Sequence, residues 1–203
     1  MMKKFILPVV VLALMSFGIS SDTGLTKKER KMAVKEMTNS QKRLFKAIKG
    51  LSENQLNFKS SPNAWSVAEC VEHITISENM ISGMLEGALK TPADPSRRSE
   101  VKMPDEKVLA IIKYRSTKAQ APEPFQPSGK FGSYEETVKA FKEKRAAHIK
   151  YVKTTKDNLR NHYQQLPFGT IDGFQVLLFM SGHTERHVEQ IEEVLAHKDF
   201  PAR

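Results

Sequence analysis

With 203 residues, the chain can build one domain with a sizeable core and is short for two. Its 39% hydrophobic and 27% charged residues are those of an ordinary soluble globular protein. The formal charge is +9, but basic residues often sit beside acids, as in Lys27-Lys-Glu-Arg-Lys31 and Lys142-Glu-Lys-Arg145. A solvated helix surface accounts for that pattern, and no nucleic-acid partner is expected.

The chain opens on Met1-Met-Lys-Lys, followed by an apolar run from Phe5 to Ile19 and the small residues Gly18 and Ser20. This is the order of a secretory signal, and the run is shorter than the ~18 residues of a spanning helix. Residues 1–20 are therefore expected to be a cleaved signal peptide, with residues 21–203 as the folded domain. The protein is then periplasmic or extracellular, and it touches a membrane only if that segment stays uncleaved. The single cysteine, Cys70, lies far from the cut, so neither a lipid anchor there nor an internal disulfide is available.

Four long helices follow from the apolar period. The first is predicted over Leu25–Leu51, with Met37, Leu44 and Ile48 among its apolar positions and Gly50 near its end. The second starts at Ser66, where Ser66 and Glu69 make an S-x-x-E capping box, and runs to about Leu89. A proline-rich region from Thr91 to Gly132 comes next, interrupted by a short helix over Asp105–Arg115. A loop of this length beside a site is expected to cover it. The third long helix starts at Ser133 with a second capping box (Glu136) and is predicted to reach His162. After a Leu166-Pro-Phe-Gly-Thr turn, the fourth runs from Ile171 to His197. No strand-like alternation of any length is visible. The fold is all-α: a four-helix bundle with a long crossover loop containing a short helix.

His183 and His187 are spaced i, i+4 on the fourth helix, which stacks both imidazoles on one face. The same stripe carries Val176, Met180, Ile191 and Val194, so that face points inward. His73 falls likewise on the stripe of Cys70, Ser77 and Met80 in the second helix. Inward histidines are either hydrogen-bonded core residues or metal ligands, and the spacing alone leaves both readings open. As ligands, three neutral nitrogens suit a divalent ion, zinc or nickel first and iron or cobalt next. No glycine-rich phosphate loop or C-x-x-C pair supports a nucleotide, flavin or haem.

Asn63-Ala-Trp-Ser-Val-Ala-Glu-Cys-Val-Glu-His73-Ile resembles the start of the second helix in the DinB-like superfamily. Gly182-His-Thr-Glu-Arg-His-Val-Glu-Gln-Ile191 resembles that family's H-x3-H…Q-I signature. Pro124-Phe-Gln-Pro-Ser-Gly and the Phe168-Gly…Gly173-Phe turn are similar to its YfiT-like branch. The resemblance spans roughly residues 30–197 and implies that His73, His183 and His187 bind one metal. It places Gln190 beside the site as support or substrate contact. Glu69, one turn before His73, is explained by its capping role, and no catalytic residue is assigned. Arg186 is read as a surface or ion-pair residue, His148 as a core or interface residue, and His162 and His197 as helix-end residues.

The function implied is an exported, metal-dependent, hydrolase-like enzyme acting on a small-molecule substrate. A thiol S-transferase and a non-catalytic metal-binding bundle are the alternatives, and a homodimer is compatible with either. Export weighs against thiol transfer, because low-molecular-weight thiols are kept reduced mainly in the cytoplasm. Intact-mass measurement of protein from the envelope fraction should give a chain that begins close after Ser20. An unprocessed Met1 terminus in soluble cytoplasm would overturn the export reading.

Overall fold

The structure, a computed structural model, describes residues 24–116 and 120–202; the predicted signal peptide lies outside the described residues. Helix α1 (Lys27–Ala47) starts at Thr26, whose side chain and Glu29 form a capping box, and buries Ala33, Met37, Ser40 and Leu44 along one stripe. It stops before the predicted Leu51, because Gly50 takes a positive φ of 69° there. A separate turn of helix, α2 (Glu53–Asn57), follows from its own Ser52–Gln55 box. Helix α3 (Val67–Ala88) begins at the predicted Ser66–Glu69 box. The short helix expected in the crossover is α4 (Asp105–Lys113).

Helix α5 (Tyr134–Thr154) starts at the Ser133–Glu136 box but ends well short of His162. Thr155 and Asp157 end it: the Thr155 hydroxyl donates to the Asp157 carboxylate and accepts from the Asp157 N–H. Such local bonds offer the backbone an alternative to helix. The segment that follows is a hairpin the pattern did not predict. Strands β1 (Tyr163–Leu166) and β2 (Gly169–Asp172) pair antiparallel around Pro167 and Phe168, with Leu166 opposite Gly169. Four-residue strands carry too little alternation to register as a period. Helix α6 (Gly173–Leu195) then grows from an Asp172–Gln175 box, inside the predicted span.

Helices α1 and α3 each pack against both α5 and α6, so the order around the bundle is α1, α6, α3, α5. Helix α4 lies against α6 and buries Val108, Leu109 and Ile112. Gly182 permits that approach: a Cβ there would sit 3.3 Å from the Ile112 side chain.

The core has two apolar halves. One contains Met37, Ile81, Leu177 and Met180; the other contains Leu44, Ile74, Phe141 and Val188. Between them lies a polar layer to which every long helix contributes, with Ser40, Glu78, Arg145 and Thr184 all buried. The Arg145 guanidinium makes two bonds of 2.7 Å to the Glu78 carboxylate and others to Ser40 Oγ (2.7 Å), the Met37 carbonyl (3.1 Å) and Thr184 Oγ1 (2.8 Å). One side chain from α5 therefore touches the other three long helices. His148 completes the layer, with Nδ1 2.7 Å from Glu78 and Nε2 3.0 Å from Ser82 Oγ. This is the core role read for His148.

Burial alone would raise the Glu78 carboxyl, but the Arg145 charge and the hydrogen bonds from His148 and Arg145 reverse this and bring it to about 2. A carboxylate depressed in the folded state stabilises the fold above its unfolded pKa of ~4.3 and loses that contribution as pH falls towards the folded value. Acid titration followed by circular dichroism should show the loss developing from about pH 4 downwards. Arg145→Ala leaves a buried carboxylate unpaired and should cost ~3–5 kcal/mol in denaturant unfolding. A cost within ~0.5 kcal/mol, the range of ordinary surface substitutions, would refute the structural weight given to this layer.

Candidate metal centre

Helix α3 supplies His73, and α6 supplies His183 and His187 one turn apart. One ring nitrogen from each lies within 4.8 Å of the others. His73 Nε2 is 3.3 Å from His183 Nε2 and 3.0 Å from His187 Nε2. The three residues predicted from the sequence thus converge on one point.

The hydrogen bonds behind the rings decide what the nitrogens offer. His73 Nδ1 lies 2.6 Å from the Phe125 carbonyl. A carbonyl only accepts, so Nδ1 carries the proton and the neutral ring turns a bare Nε2 lone pair to the centre. His187 Nδ1 is 2.9 Å from Gln190 Oε1, which favours the same tautomer. That single His73 lone pair faces two further nitrogens and can accept one good N–H bond at most. Converging lone pairs are relieved by a cation. In a tetrahedral site with M–N bonds of about 2.05 Å, ligand nitrogens lie about 3.3 Å apart, and at right-angled positions about 2.9 Å apart. The two separations fit that range, so the donor set suits a divalent ion.

The surroundings are aromatic. The Trp65 ring lies 4.7 Å from the His73 ring and 6.2 Å from His187. Phe179 stacks on His183 at 6.0 Å, and Phe168 of the hairpin turn stacks on Phe179 at 6.2 Å. His73 and His187 are buried, whereas His183 keeps partial exposure. Burial first, and then the facing imidazoles, push His183 well below its ordinary pKa; the same causes take His187 down to about 3. Burial also lowers His73, against the opposing Phe125 bond. The rings are therefore neutral, as ligands must be.

Other residues singled out in the sequence sit elsewhere. Glu69 spends its carboxylate on the Ser66 N–H (2.8 Å) and Lys59 (2.7 Å), which confirms the cap and leaves it no role at the cluster. Cys70 is buried, and burial pushes its thiol up to about 12. Arg186 reaches the Tyr114 carbonyl. His162 Nδ1 bonds the Ala88 carbonyl at 3.0 Å, closing the end of α3, and the His197 ring packs on Phe58 at 5.5 Å. A cleft of about 800 Å³ beside α2 is lined by Lys59, Glu69, Glu72 and Tyr134 and includes none of the three histidines. Reading the sequence missed the Phe125 carbonyl, a backbone group with no side-chain signature, and the Arg145 layer under the cluster.

A four-helix bundle with one small hairpin and three histidines converging from two helices defines a class of candidate metal-site proteins. Within it, the chain belongs to the DinB superfamily, whose sequence profile matches residues 36–191. It is 25% identical over 150 residues to the uncharacterized protein YuaE of Bacillus subtilis (strain 168), covering 72% of this chain and 87% of that one. In structure it is similar to YfiT from Bacillus subtilis, with a TM-score of 0.56 and 14% identity over 84% of this chain and 88% of that one. YfiT is described as a probable metal-dependent hydrolase with an unusual four-helix bundle topology.

Trp65 is the only tryptophan, so its fluorescence reports on the cluster. Adding nickel or cobalt should quench it at one equivalent, and alanine at His73, His183 or His187 should abolish the effect while His197→Ala leaves it intact. Because the rings resist protonation, quenching should persist well below the ordinary imidazole pKa of ~6.5 and be lost only in stronger acid. Quenching that survives in all three alanine variants would place the ion elsewhere.

Proposed function

We propose that the protein is an exported, metal-dependent, hydrolase-like enzyme in which His73, His183 and His187 hold one divalent ion, zinc or nickel before iron or cobalt. The observation that carries this reading is the convergence of three imidazole nitrogens with the His73 tautomer set by Phe125. A divalent ion at such a site supplies Lewis acidity, which polarises a carbonyl or phosphoryl oxygen and acidifies water. The chain's own part is to fix geometry and exclude solvent. Phe125 and Gln190 orient two of the rings. Trp65 and Phe179 wall the cluster with apolar surface, and His183, the most solvent-exposed of the three residues, marks the side from which a small molecule would approach. The description of YfiT supports the hydrolase reading by likeness of fold.

A second reading, a thiol S-transferase, is favoured by one observation. Among the described residues the candidate ligand cluster contains histidines and no carboxylate. A divalent ion there keeps its full charge for an anionic ligand such as a thiolate.

Elemental analysis of purified protein should find one equivalent of metal, lost in the His183→Ala variant. Removal by a chelator should lower the melting temperature of the wild type, since an ion bound by the native state alone adds to its stability. A screen of ester, amide and phosphoester substrates beside thiol-conjugation substrates then separates the readings, with hydrolysis expected and abolished by chelation. Stoichiometric metal with no turnover of either kind would leave a non-catalytic binding bundle. Absence of stoichiometric metal after equilibration with zinc, nickel, iron and cobalt would end the proposal.

A further inference from the structure

Away from the histidines, the least compensated charge lies on the outside of α1. Lys28, Lys31, Lys35, Lys42 and Lys46 are exposed and recur at helical steps opposite the buried Ala33, Met37, Ser40 and Leu44. The acids interleaved with them in sequence turn away. Glu29 caps α1 and pairs with Arg160, and Glu36 faces Lys113 of α4. The ion pairs of the described residues include none of these five lysines. A stripe that reads as mixed charge in sequence is single-signed in space.

Helix α5 lies beside α1 in the opposite direction. Arg30 near the start of α1 bonds the Val152 and Thr155 carbonyls at 2.7 Å, and Phe45 near its end packs on Phe141 at 6.0 Å. The exposed side of α5 adds Lys139, Lys142, Lys150 and Lys153, likewise outside every ion pair of the described residues, with Glu135 and Glu143 as acids on the same side. Each helix has 21 residues, and so extends for about 30 Å.

We propose that this α1–α5 face docks on an anionic lipid bilayer. Each lysine held near such a surface strengthens binding about fivefold, and none of these has a protein carboxylate to release first. The exposed positions of the face carry no aromatic ring, so the stacking platform that single-strand nucleic-acid binders use is not formed.

The exported chain that begins after Ser20 should be sedimented with vesicles of phosphatidylcholine alone and of phosphatidylcholine with phosphatidylglycerol. Wild type should bind the anionic vesicles at least tenfold more tightly, and the preference should vanish at high salt, where screening is short-ranged. The K31E/K35E/K42E/K46E variant should lose the preference, a fall of at least about tenfold, while arginine at the same four positions should retain it. If the glutamate variant melts early, K139E/K142E/K150E/K153E serves instead. Amine labelling read by mass spectrometry should show Lys31, Lys35, Lys42 and Lys46 protected by anionic vesicles. Equal binding to both vesicle types, unchanged binding by a folded glutamate variant, or tighter binding to duplex DNA than to anionic vesicles would overturn the proposal.

Discussion

The bundle turns on the contact between Arg145 and Glu78. A guanidinium with no exposure, facing a carboxylate at 2.7 Å through two nitrogens, is stable inside a protein only if its remaining donors are also used. Here they are: two go to Met37 and Ser40 of α1 and one to Thr184 of α6. The fork directions of one planar group therefore limit how α1, α3 and α6 can be rotated about their axes relative to α5. Apolar packing on either side is tolerant of small shifts; the polar layer is not, because a slipped register strands a buried charge. Thr184, one of the Arg145 partners, is the neighbour of His183, and Glu78 lies a little over one turn beyond His73. The layer that aligns the bundle thus also sets the facing of the two helices that carry the histidines.

The metal centre inherits precision from α3 and α6 and receives one component from outside the bundle. The Phe125 carbonyl comes from the crossover, far along the chain from His73. Its bond selects the tautomer, so the path of the crossover and the electron pair offered at the centre are coupled. The aromatic rings on either flank do complementary work: they add no charge, and they leave the imidazoles as the polar groups that define the cluster.

Much of this was legible in the sequence because it was local. The capping boxes at Ser66 and Ser133 and the i, i+4 pair His183–His187 depend on a few neighbouring residues, and each stands where its pattern put it. What was not legible is non-local or too short. Arg145 ends the charged run Lys142-Glu-Lys-Arg145 in sequence, and only its place on the Phe141–His148–Val152 stripe hints that it points inward. The hairpin of Tyr163–Asp172 is too brief to show a period, and the early end of α5 rests on the Thr155–Asp157 exchange, which competes with an otherwise continuous helical pattern. The segregation of lysines from acids on α1 depends on partners in α4 and in the segment after α5, which no window along α1 contains.

Every long helix carries its own starting mark: Thr26, Ser66, Ser133 and Asp172 each exchange bonds with the residue three positions on. A helix that begins at a chemically defined residue keeps its side chains in phase whatever length of chain precedes it. Changes of length in the crossover outside α4 and Phe125 then leave the three histidines in phase. Those parts of the stretch between α3 and α5 can vary in length and composition, and with them the surface that borders the histidines, while the three rings stay in register.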